Sequence, residues 1–532
     1  MPFVFCVLFF LLFFSSSQEE KDSLIFPNPE EKICIVRAVG RDGDLLMGEK
    51  LDKDDPLAKK ILEQLEFPYH RSVIKLSQCA RNLAVNAKGP NVLFLSETEG
   101  GFPRQGLILK QKEIRKEYPT LYYVDLVLDE QRVARGELDI YSHELGHVMM
   151  LNIMGAEIPD GRSTKQHVSM GITDYTTAFF EGWGIHFQRL AFDDVPFYRD
   201  TYAASLDYSQ DFARTWHSNI DQSLRLHGMV ENSYIHRKLL PERGIASLDL
   251  EELILLEHTS PLFDGTRLRN AQQMLSCEGV LATLFYRINT NKVLQNNFRE
   301  DAFYDRFLLR PIPASTTSKE IFTPLENVFL KDFHVWEKIK GRLNPESVIL
   351  IEFIQEWARA FPEDREEIRK LFVMTTVGKT VTQELGKTYE AMSYHGLIGD
   401  YQNYRRLAEK FRDEASTLIQ NTLKGEAKLD ANVGPQIWVE NKDFLIRTAL
   451  WNPENKKPLS INLNTASEYD LASFPKIGLE KARDLIKKRD ELGYFTSLQQ
   501  ADFSVVDRII NHLKLSFVAE RLLRLISPTT NS

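Results

Sequence analysis

Two histidines and a glutamate near the middle of the chain have the spacing of a metal site. His143, Glu144 and His147 lie in the string HELGH. Residues four apart share one face of a helix, so both imidazoles can reach one ion beside the carboxylate of Glu144. Zinc suits nitrogen ligands in a tetrahedral site, and it makes bound water acidic enough to react near neutral pH. The pattern predicts one catalytic zinc ion, with Glu144 as the general base.

The residues around this motif predict a strand that leads into a helix. Residues 121–128 are rich in β-favouring types, and Tyr141, Leu145, Val148 and Met149 give the following segment an apolar side. A strand followed by a helix with HExxH resembles the zincin metallopeptidases. The resemblance implies an α+β fold with a mixed sheet and active-site helices, and a peptide or protein substrate. The strand is also a candidate edge for an extended peptide.

The third metal ligand has to come from a later segment, because no Gly and third His follow His147 as they do in metzincins. Thr176 to Gln188 is mostly apolar and contains the pair Glu181-Gly182, which resembles the second active-site helix of gluzincins. That resemblance implies zinc ligation by His143, His147 and Glu181. An acid in an apolar stretch is costly without a cation, and a small residue beside it lets helices approach closely.

Other residues remain candidates for supporting roles at this site. Glu278 repeats the Glu-Gly pair in an apolar segment, and it competes with His167 and Glu157 as the third ligand. Zincins of this type use a Tyr or His as oxyanion stabiliser, and the candidates are Tyr175, His186, Tyr234 and His236. The candidates for hydrogen-bonding the histidine ligands are Asp139 and Asp174.

The C-terminal segment carries a second recognisable pattern. It consists of Asn462, Asn464, Thr465 and Ala466, then the string FPKIG at 474–478, then Gly493-Tyr494-Phe495. It resembles the helix-hairpin-helix module of competence-type DNA-binding proteins, in which backbone N–H groups at a helix N-terminus bind a phosphate. Here Lys476 replaces the first hairpin glycine, and ten Lys/Arg after Ser460 face nine Asp/Glu. A protein-interaction role or a purely structural role is therefore favoured over DNA binding for this module.

The N-terminus predicts export. Residues 3–14 are an unbroken apolar run, shorter than the roughly 20 residues that span a bilayer. We expect a signal peptide at 1–18 and a secreted, periplasmic or cell-surface protein with no stable membrane span. Because no Lys or Arg precedes the run, an uncleaved anchor is the alternative. A Cys34–Cys79 bridge is the one disulfide candidate within a single domain, and unpaired thiols are the favoured state.

Composition and patterning predict several soluble domains. The 532 residues are 43% hydrophobic and 27% charged, and the net charge of -9 argues against a nucleic-acid or anionic-membrane binder over the whole chain. Strands are expected at 32–36, 90–95 and 106–109, a helix at 56–65, and an α-rich middle. The predicted segments are a signal peptide (1–18), an α/β segment (19–120), a zincin-like domain (121–330), a helical region (331–455) and the helix-hairpin-helix module (460–528).

Three functions fit these patterns. The favoured one is a secreted zinc-dependent peptidase. The second is a non-catalytic extracytoplasmic DNA- or protein-binding factor with a structural metal. The third is a zinc amidohydrolase that uses the same ligands on non-peptide amides.

Overall fold

The computed structural model describes most of the first four hundred residues and parts of the rest. The described residues are 19–84, 89–155, 169, 175–198, 224–238, 263–269, 274–275, 277–343, 349–377, 382–427, 436–440, 460–463, 478–492, 495, 497–501 and 512–516. The predicted signal peptide lies outside them.

Helices dominate the described residues. Those of eight or more residues are α1 (Pro56–Leu65), α2 (Pro68–Leu83), α3 (Ile140–Met154), α4 (Tyr175–Asp194), α5 (Glu278–Thr290), α6 (Pro324–Ile339), α7 (Ile349–Ala360), α8 (Arg365–Phe372), α9 (Gln383–Leu397), α10 (Tyr401–Lys424) and α11 (Gly478–Leu492). Shorter helical segments are Glu130–Ala134, Glu137–Asp139, Leu224–Gly228, Met229–Glu231, Ser233–Ile235, Lys292–Asn296, Asp301–Tyr304, Asp305–Phe307, Ser318–Ile321, Lys340–Arg342, Pro362–Asp364, Val373–Val377 and Leu498–Ala501.

The strands form three separate sheets. They are β1 (Cys34–Asp42), β2 (Leu45–Lys50), β3 (Val92–Leu95), β4 (Phe102–Gln111), β5 (Ile114–Leu126), β6 (His236–Lys238), β7 (Phe263–Leu268), β8 (Gln436–Glu440), β9 (Ser460–Asn462) and β10 (His512–Ser516). The first five make one mixed sheet, β6 pairs with β7, and β8 lies between β10 and β9.

The five-stranded sheet closes on itself in the order β1-β2-β4-β5-β3. Closure comes from the parallel pairing of β1 with β3, where Cys34 lies opposite Val92. Alternate residues of the strands fill the interior, among them Val36 and Phe94. A Cβ on Gly48 would lie 2.3 Å from Val36 Cγ1 and 2.6 Å from Phe94 Cε2, so the interior has no room for a side chain at this position.

The chain divides into two compact units. The first comprises 1–158, 187–205 and 289–341, and the second comprises 159–186, 206–288 and 342–532. Helix α4 is continuous across residue 186 and contributes residues to both.

Two helices of the first unit have clear start signals. Asp55 caps α1 by accepting hydrogen bonds from the backbone N–H groups of Leu57 and Ala58. Thr323 and Glu326 form a capping box ahead of α6, which has Pro324 in its first turn.

The second unit has an aromatic core and a long helical hairpin. The ring of Phe179 lies 5.2 Å from that of Phe285 and 5.7 Å from that of Phe353, between centroids. Helices α9 and α10 pack against each other along the hairpin, where the rings of Tyr389 and Phe411 lie 5.0 Å apart.

The predicted elements of the first hundred residues are confirmed. The three short strands and the helix at 56–65 are present, and the described residues in the middle of the chain are mostly helical, with β6 and β7 as strands that sequence patterns did not indicate. Strand β5 runs through residue 120, where the boundary between the α/β segment and the zincin-like domain is predicted.

Among the described helices, none is both long and apolar enough to cross a membrane. Cys34, Cys79 and Cys277 are buried free thiols.

The expectation that residues 121–128 offer a free edge to a peptide was wrong. Tyr122 to Asp125 pair with β4 on one side, and Val124 to Leu126 pair with β3 on the other. Arg81 also donates a hydrogen bond to the Tyr122 carbonyl, at 2.9 Å. Sheet closure therefore occupies the backbone groups that strand addition would need.

Candidate metal centre

Helix α3 carries the HELGH motif through the interior of the first unit. It follows a tight turn at Gly136, whose φ is 82°, and ends at Gly155, whose φ is 60°. Thirteen of its fifteen residues are buried, so the helix is enclosed on all faces and not on the single apolar side that the sequence indicated. His143, Glu144 and His147 are among the buried residues. The motif is therefore shielded from bulk water.

The two histidines point their Nε2 atoms at each other. These atoms lie 3.0 Å apart, and the ring planes meet at 81°. Two nitrogens at about 2.05 Å from a tetrahedral zinc ion would be about 3.3 Å apart. The observed separation fits two ligands of one ion as well as an N–H···N hydrogen bond. No large movement of α3 is needed to bring either histidine to a metal.

Glu181 completes a group with the composition of a metal site. A ligand atom from each of His143, His147 and Glu181 lies within 4.8 Å of the other two. Among the residues that the structure describes, no other group of three or more His, Cys, Asp or Glu side chains lies this close together. The histidines are buried and Glu181 is half-buried. Two neutral nitrogens and one carboxylate are a donor set that suits zinc.

Contacts two turns beyond Glu181 fix α4 against α3. Gln188 donates a hydrogen bond from Nε2 to Oδ2 of Asp139, at 2.9 Å. A Cβ on Gly146 would lie 2.9 Å from Cδ2 of Phe187, so this glycine of the motif allows the Phe187 ring to approach α3. Glu181 and Gln188 are seven residues apart and share a face of α4. The same face therefore directs both side chains toward α3.

Asp139 hydrogen-bonds the helix that carries Glu181. Its carboxylate accepts from Gln188, and Tyr69 donates from its hydroxyl to the Phe187 carbonyl at 2.8 Å. Both contacts hold the helix that carries Glu181. Sequence reasoning missed the roles of Gln188 and Tyr69, because their partners Asp139 and Phe187 lie 49 and 118 positions away along the chain.

Gly182 allows a third helix to approach next to Glu181. A Cβ at this position would lie 2.7 Å from Cβ of Leu281 and 2.9 Å from the Glu278 carbonyl oxygen. The Glu-Gly pair thus has the predicted close helix contact, and α5 is the partner. Glu278 is buried at the start of α5, but it is not a member of the three-residue cluster.

Tyr234 is the oxyanion candidate that the contacts link most directly to this region. Its ring lies flat against Gly279, where a Cβ would be 2.2 Å from Cε1. Gly279 follows Glu278, whose carbonyl oxygen adjoins Gly182. Tyr175, at the start of α4, is also buried, and burial raises the pKa of its hydroxyl well above the ordinary value. The Tyr175 phenol is therefore a neutral hydrogen-bond donor across the physiological pH range.

The two histidine candidates have other contacts. His186 donates a hydrogen bond from Nδ1 to the Trp183 carbonyl, and its ring lies 4.5 Å from that of Trp183, between centroids. The His236 ring lies 5.6 Å from that of Tyr389, and its Nδ1 is 3.3 Å from the Tyr389 hydroxyl. The remaining site candidates lie outside the described residues; they are Glu157, His167 and Asp174.

The C-terminal module is described in part. Arg489 of α11 donates to the carbonyl of Leu463, just after β9, at 3.2 Å. Phe495 of the predicted closing turn is buried, as are Ala482 and Leu485 on one face of α11. The hairpin residues 474–477 lie outside the described part of the chain.

Comparison with known proteins identifies this module. Residues 457–502 match the helix-hairpin-helix motif family, which confirms the resemblance predicted from 460 onward. The match covers a small part of the chain and leaves the HELGH region unassigned. No curated protein and no solved structure matches the chain.

Proposed function

We propose that the protein is a zinc-dependent hydrolase of peptide bonds with a zincin-like catalytic region. The observation that carries this proposal is the convergence of His143, His147 and Glu181 within 4.8 Å, with Glu144 on the same buried helix. A helix with both histidines and the general base, and a second helix with a glutamate, is the arrangement that the gluzincin resemblance implies. The proposal extends to export from the cytoplasm, on the apolar run at 3–14.

Each residue of the group has a distinct task in this proposal. The imidazoles of His143 and His147 and the carboxylate of Glu181 hold the ion. Zinc, when bound, supplies Lewis acidity that polarises the substrate carbonyl and makes water a better nucleophile. Glu144 accepts the proton of the attacking water and passes it to the leaving amine. Tyr234 donates a hydrogen bond to the carbonyl oxygen as negative charge develops on it.

Metal content and hydrolysis measured on the same preparations test the proposal. We expect one zinc per full-length chain and cleavage of a peptide library. Glu144→Gln keeps the zinc and lowers the turnover by at least about a hundredfold, because the general base is lost. Glu181→Ala loses zinc affinity. The control is Glu278→Gln, a buried glutamate in the neighbouring Glu-Gly pair, which keeps the metal.

Each outcome separates the proposal from its rivals. Zinc retained in Glu181→Ala and lost in Glu278→Gln moves the third ligand to α5. Zinc bound without cleavage of any peptide, and cleavage of non-peptide amides, favours an amidohydrolase. Zinc with neither activity, unaffected by Glu144→Gln, leaves a structural metal in a binding protein. Absence of zinc from the unmodified chain refutes the catalytic proposal.

The family match at 457–502 supports a second function, binding of DNA or a protein partner by the C-terminal module. Anisotropy of a labelled duplex mixed with the full chain, over about 50 to 200 mM salt, measures it. Lys487 and Glu480 are both exposed on α11. If α11 faces the phosphates, Lys487→Gln weakens binding and reduces the salt slope by about 1, and Glu480→Gln does not. No binding at low salt would leave the protein-partner role.

A further inference from the structure

The turn between α9 and α10 exposes a concentrated set of large apolar side chains. We call residues 394–404 the hairpin tip. The exposed fractions are 58% for Tyr394, 75% for Leu397, 56% for Ile398, 68% for Tyr401 and 37% for Tyr404. Single exposed apolar residues are ordinary on a protein surface, but five within eleven positions form a patch that calls for a partner.

The hairpin tip is a well-formed structure with its backbone groups satisfied. Gly399 has a φ of 76°, and the backbone N–H of Ile398 donates to the Tyr394 carbonyl at 3.1 Å, which ends α9. Asp400 begins α10 by accepting from the backbone N–H of Asn403 at 3.2 Å. The Tyr404 ring lies against Gly396. The apolar side chains are therefore held outward by two helix ends.

Charges near the hairpin tip are arranged in a defined order along its axis. Leu397 and Ile398 lie at the very end, the tyrosines lie within about one turn of them, and the exposed Arg405 and Arg406 follow. The one carboxylate at the end, Asp400, is paired with His395, whose Nδ1 lies 3.0 Å from Oδ2. It also accepts from the Asn403 amide at 2.7 Å. Asp400 is therefore the charge nearest the aliphatic end, and the exposed Arg405 and Arg406 are the positive charges that follow it along α10.

This order matches the polarity gradient of a bilayer surface. Aliphatic side chains prefer the acyl region, tyrosines concentrate at the level of the headgroups, and arginines pair with lipid phosphates. Arg405 lies four residues after Tyr401 in α10, a rise of about 6 Å from the start of the helix, which is within the roughly 5–10 Å depth that interfacial elements reach. A convex tip buries little area against another rigid protein surface, whereas a fluid bilayer closes around it.

We propose that the hairpin tip inserts into the interface of a bilayer that contains anionic lipid. Leu397 and Ile398 enter the acyl boundary, Tyr394 and Tyr401 lie among the headgroups, and Arg405 and Arg406 contact the phosphates. The inference goes beyond the proposed hydrolase activity and depends on none of the metal ligands. It supplies a membrane contact that requires no spanning helix.

A fluorescent reporter at the hairpin tip tests insertion directly. Leu397→Cys in the full-length chain is labelled with the environment-sensitive dye NBD and mixed with phosphatidylcholine vesicles with or without phosphatidylglycerol. The matched control is Ile114→Cys, because Ile114 is 68% exposed at the start of β5. Cys34, Cys79 and Cys277 are buried, and the unsubstituted chain taken through the same labelling gives the contribution of Cys6.

We expect a blue shift and a rise in NBD intensity at position 397 with phosphatidylglycerol vesicles, and no change at position 114. In a vesicle-binding titration with this readout, Ile398→Ser lowers the partition coefficient by about tenfold, because an aliphatic side chain no longer enters the acyl boundary. The pair Arg405→Gln and Arg406→Gln weakens binding to phosphatidylglycerol vesicles, by about fivefold per arginine, and leaves binding to pure phosphatidylcholine unchanged.

Two results would overturn the inference. The first is an NBD signal at position 397 that vesicles leave unchanged, or that changes equally at position 114. The second is a change at position 397 that depends on protein concentration without vesicles, which would make a second copy of the chain the partner of the hairpin tip. Neither readout involves zinc or hydrolysis, so failure here is distinct from failure of the proposed enzyme.

Discussion

Replacement of Gly182 by alanine tests whether the close contact between α4 and α5 is required for the metal site. The new Cβ would lie 2.7 Å from Cβ of Leu281, 2.9 Å from the Glu278 carbonyl oxygen and 3.0 Å from the Ala282 nitrogen. Two of these atoms belong to the backbone of α5, so no side-chain rotation relieves the clash. The helices have to separate by several tenths of an ångström.

The expected size of the effect follows from two opposing contributions. Alanine in place of glycine stabilises a helix by about 1 kcal/mol, and overpacking a tight contact costs about 1–3 kcal/mol. Gly386, inside α9, provides the control, because a Cβ there would have no atom within 4 Å. Gly386→Ala should be stabilised by the helix contribution alone, about 1 kcal/mol. Gly182→Ala should be about 1–3 kcal/mol less stable than Gly386→Ala, the full overpacking contribution.

Thermal unfolding and zinc titration of the full chain measure the two consequences. For a unit of about 300 residues, a difference of that size corresponds to a midpoint about 1.5–5 °C lower for Gly182→Ala than for Gly386→Ala. Because Glu181 precedes Gly182 on the same helix, we expect Gly182→Ala to weaken zinc about tenfold or more, and Gly386→Ala to leave zinc unchanged. Equal midpoints and equal zinc affinities in the two variants would refute the reasoning.

Three further perturbations have clear expected results. Lys75 pairs with Glu326 at 2.8 Å in a largely buried site, so Lys75→Met should cost about 3 kcal/mol by leaving the buried carboxylate without its cation. Adding Glu326→Gln should recover part of the loss, and no recovery would mean that the pair is not coupled. Burial raises the pKa of Asp332 well above its ordinary value, so the folded state binds the proton more tightly than the unfolded state. The free energy of unfolding should therefore fall as pH rises from about 4 through the raised pKa, and this fall should be absent in Asp332→Asn when thermal unfolding is followed against pH. Burial also raises the pKa of Cys34 to about 12, and Cys34, Cys79 and Cys277 are all buried free thiols. Alkylation at pH 8 followed by mass spectrometry should therefore label none of these three cysteines before unfolding and all three afterwards, and a disulfide between any two would contradict the structure.

The sequence was most informative where chemistry imposes local spacing. The interval between His143 and His147 requires one helix face, and the structure has that helix. Glu181 was predicted because Thr176 to Gln188 resembles the second active-site helix of gluzincins, and the adjacent Gly182 lies against α5. The helix-hairpin-helix module was recognised for the same reason, since its pattern is continuous along the chain.

Features that depend on distant pairings could not be predicted. Nothing within β1 or β3 indicates that the two strands meet, because 49 residues separate the end of one from the start of the other. The hydrogen bond from Gln188 to Asp139 joins residues with no shared motif. The sequence of the hairpin tip resembles ordinary helix ends, and only the packing of α9 on α10 shows which of its apolar residues stay exposed.

The closed sheet makes the first unit sensitive to shortening from the N-terminus. Removal of β1 does not merely take away an end strand, since it frees one side of β2 and one side of β3 at once. Both would then present unpaired N–H and C=O groups to other chains, and such groups are templates for intermolecular β pairing. Proteolysis in the turn between β1 and β2, followed by dissociation of the N-terminal piece, would thus convert a self-contained ring of strands into a seed for aggregation.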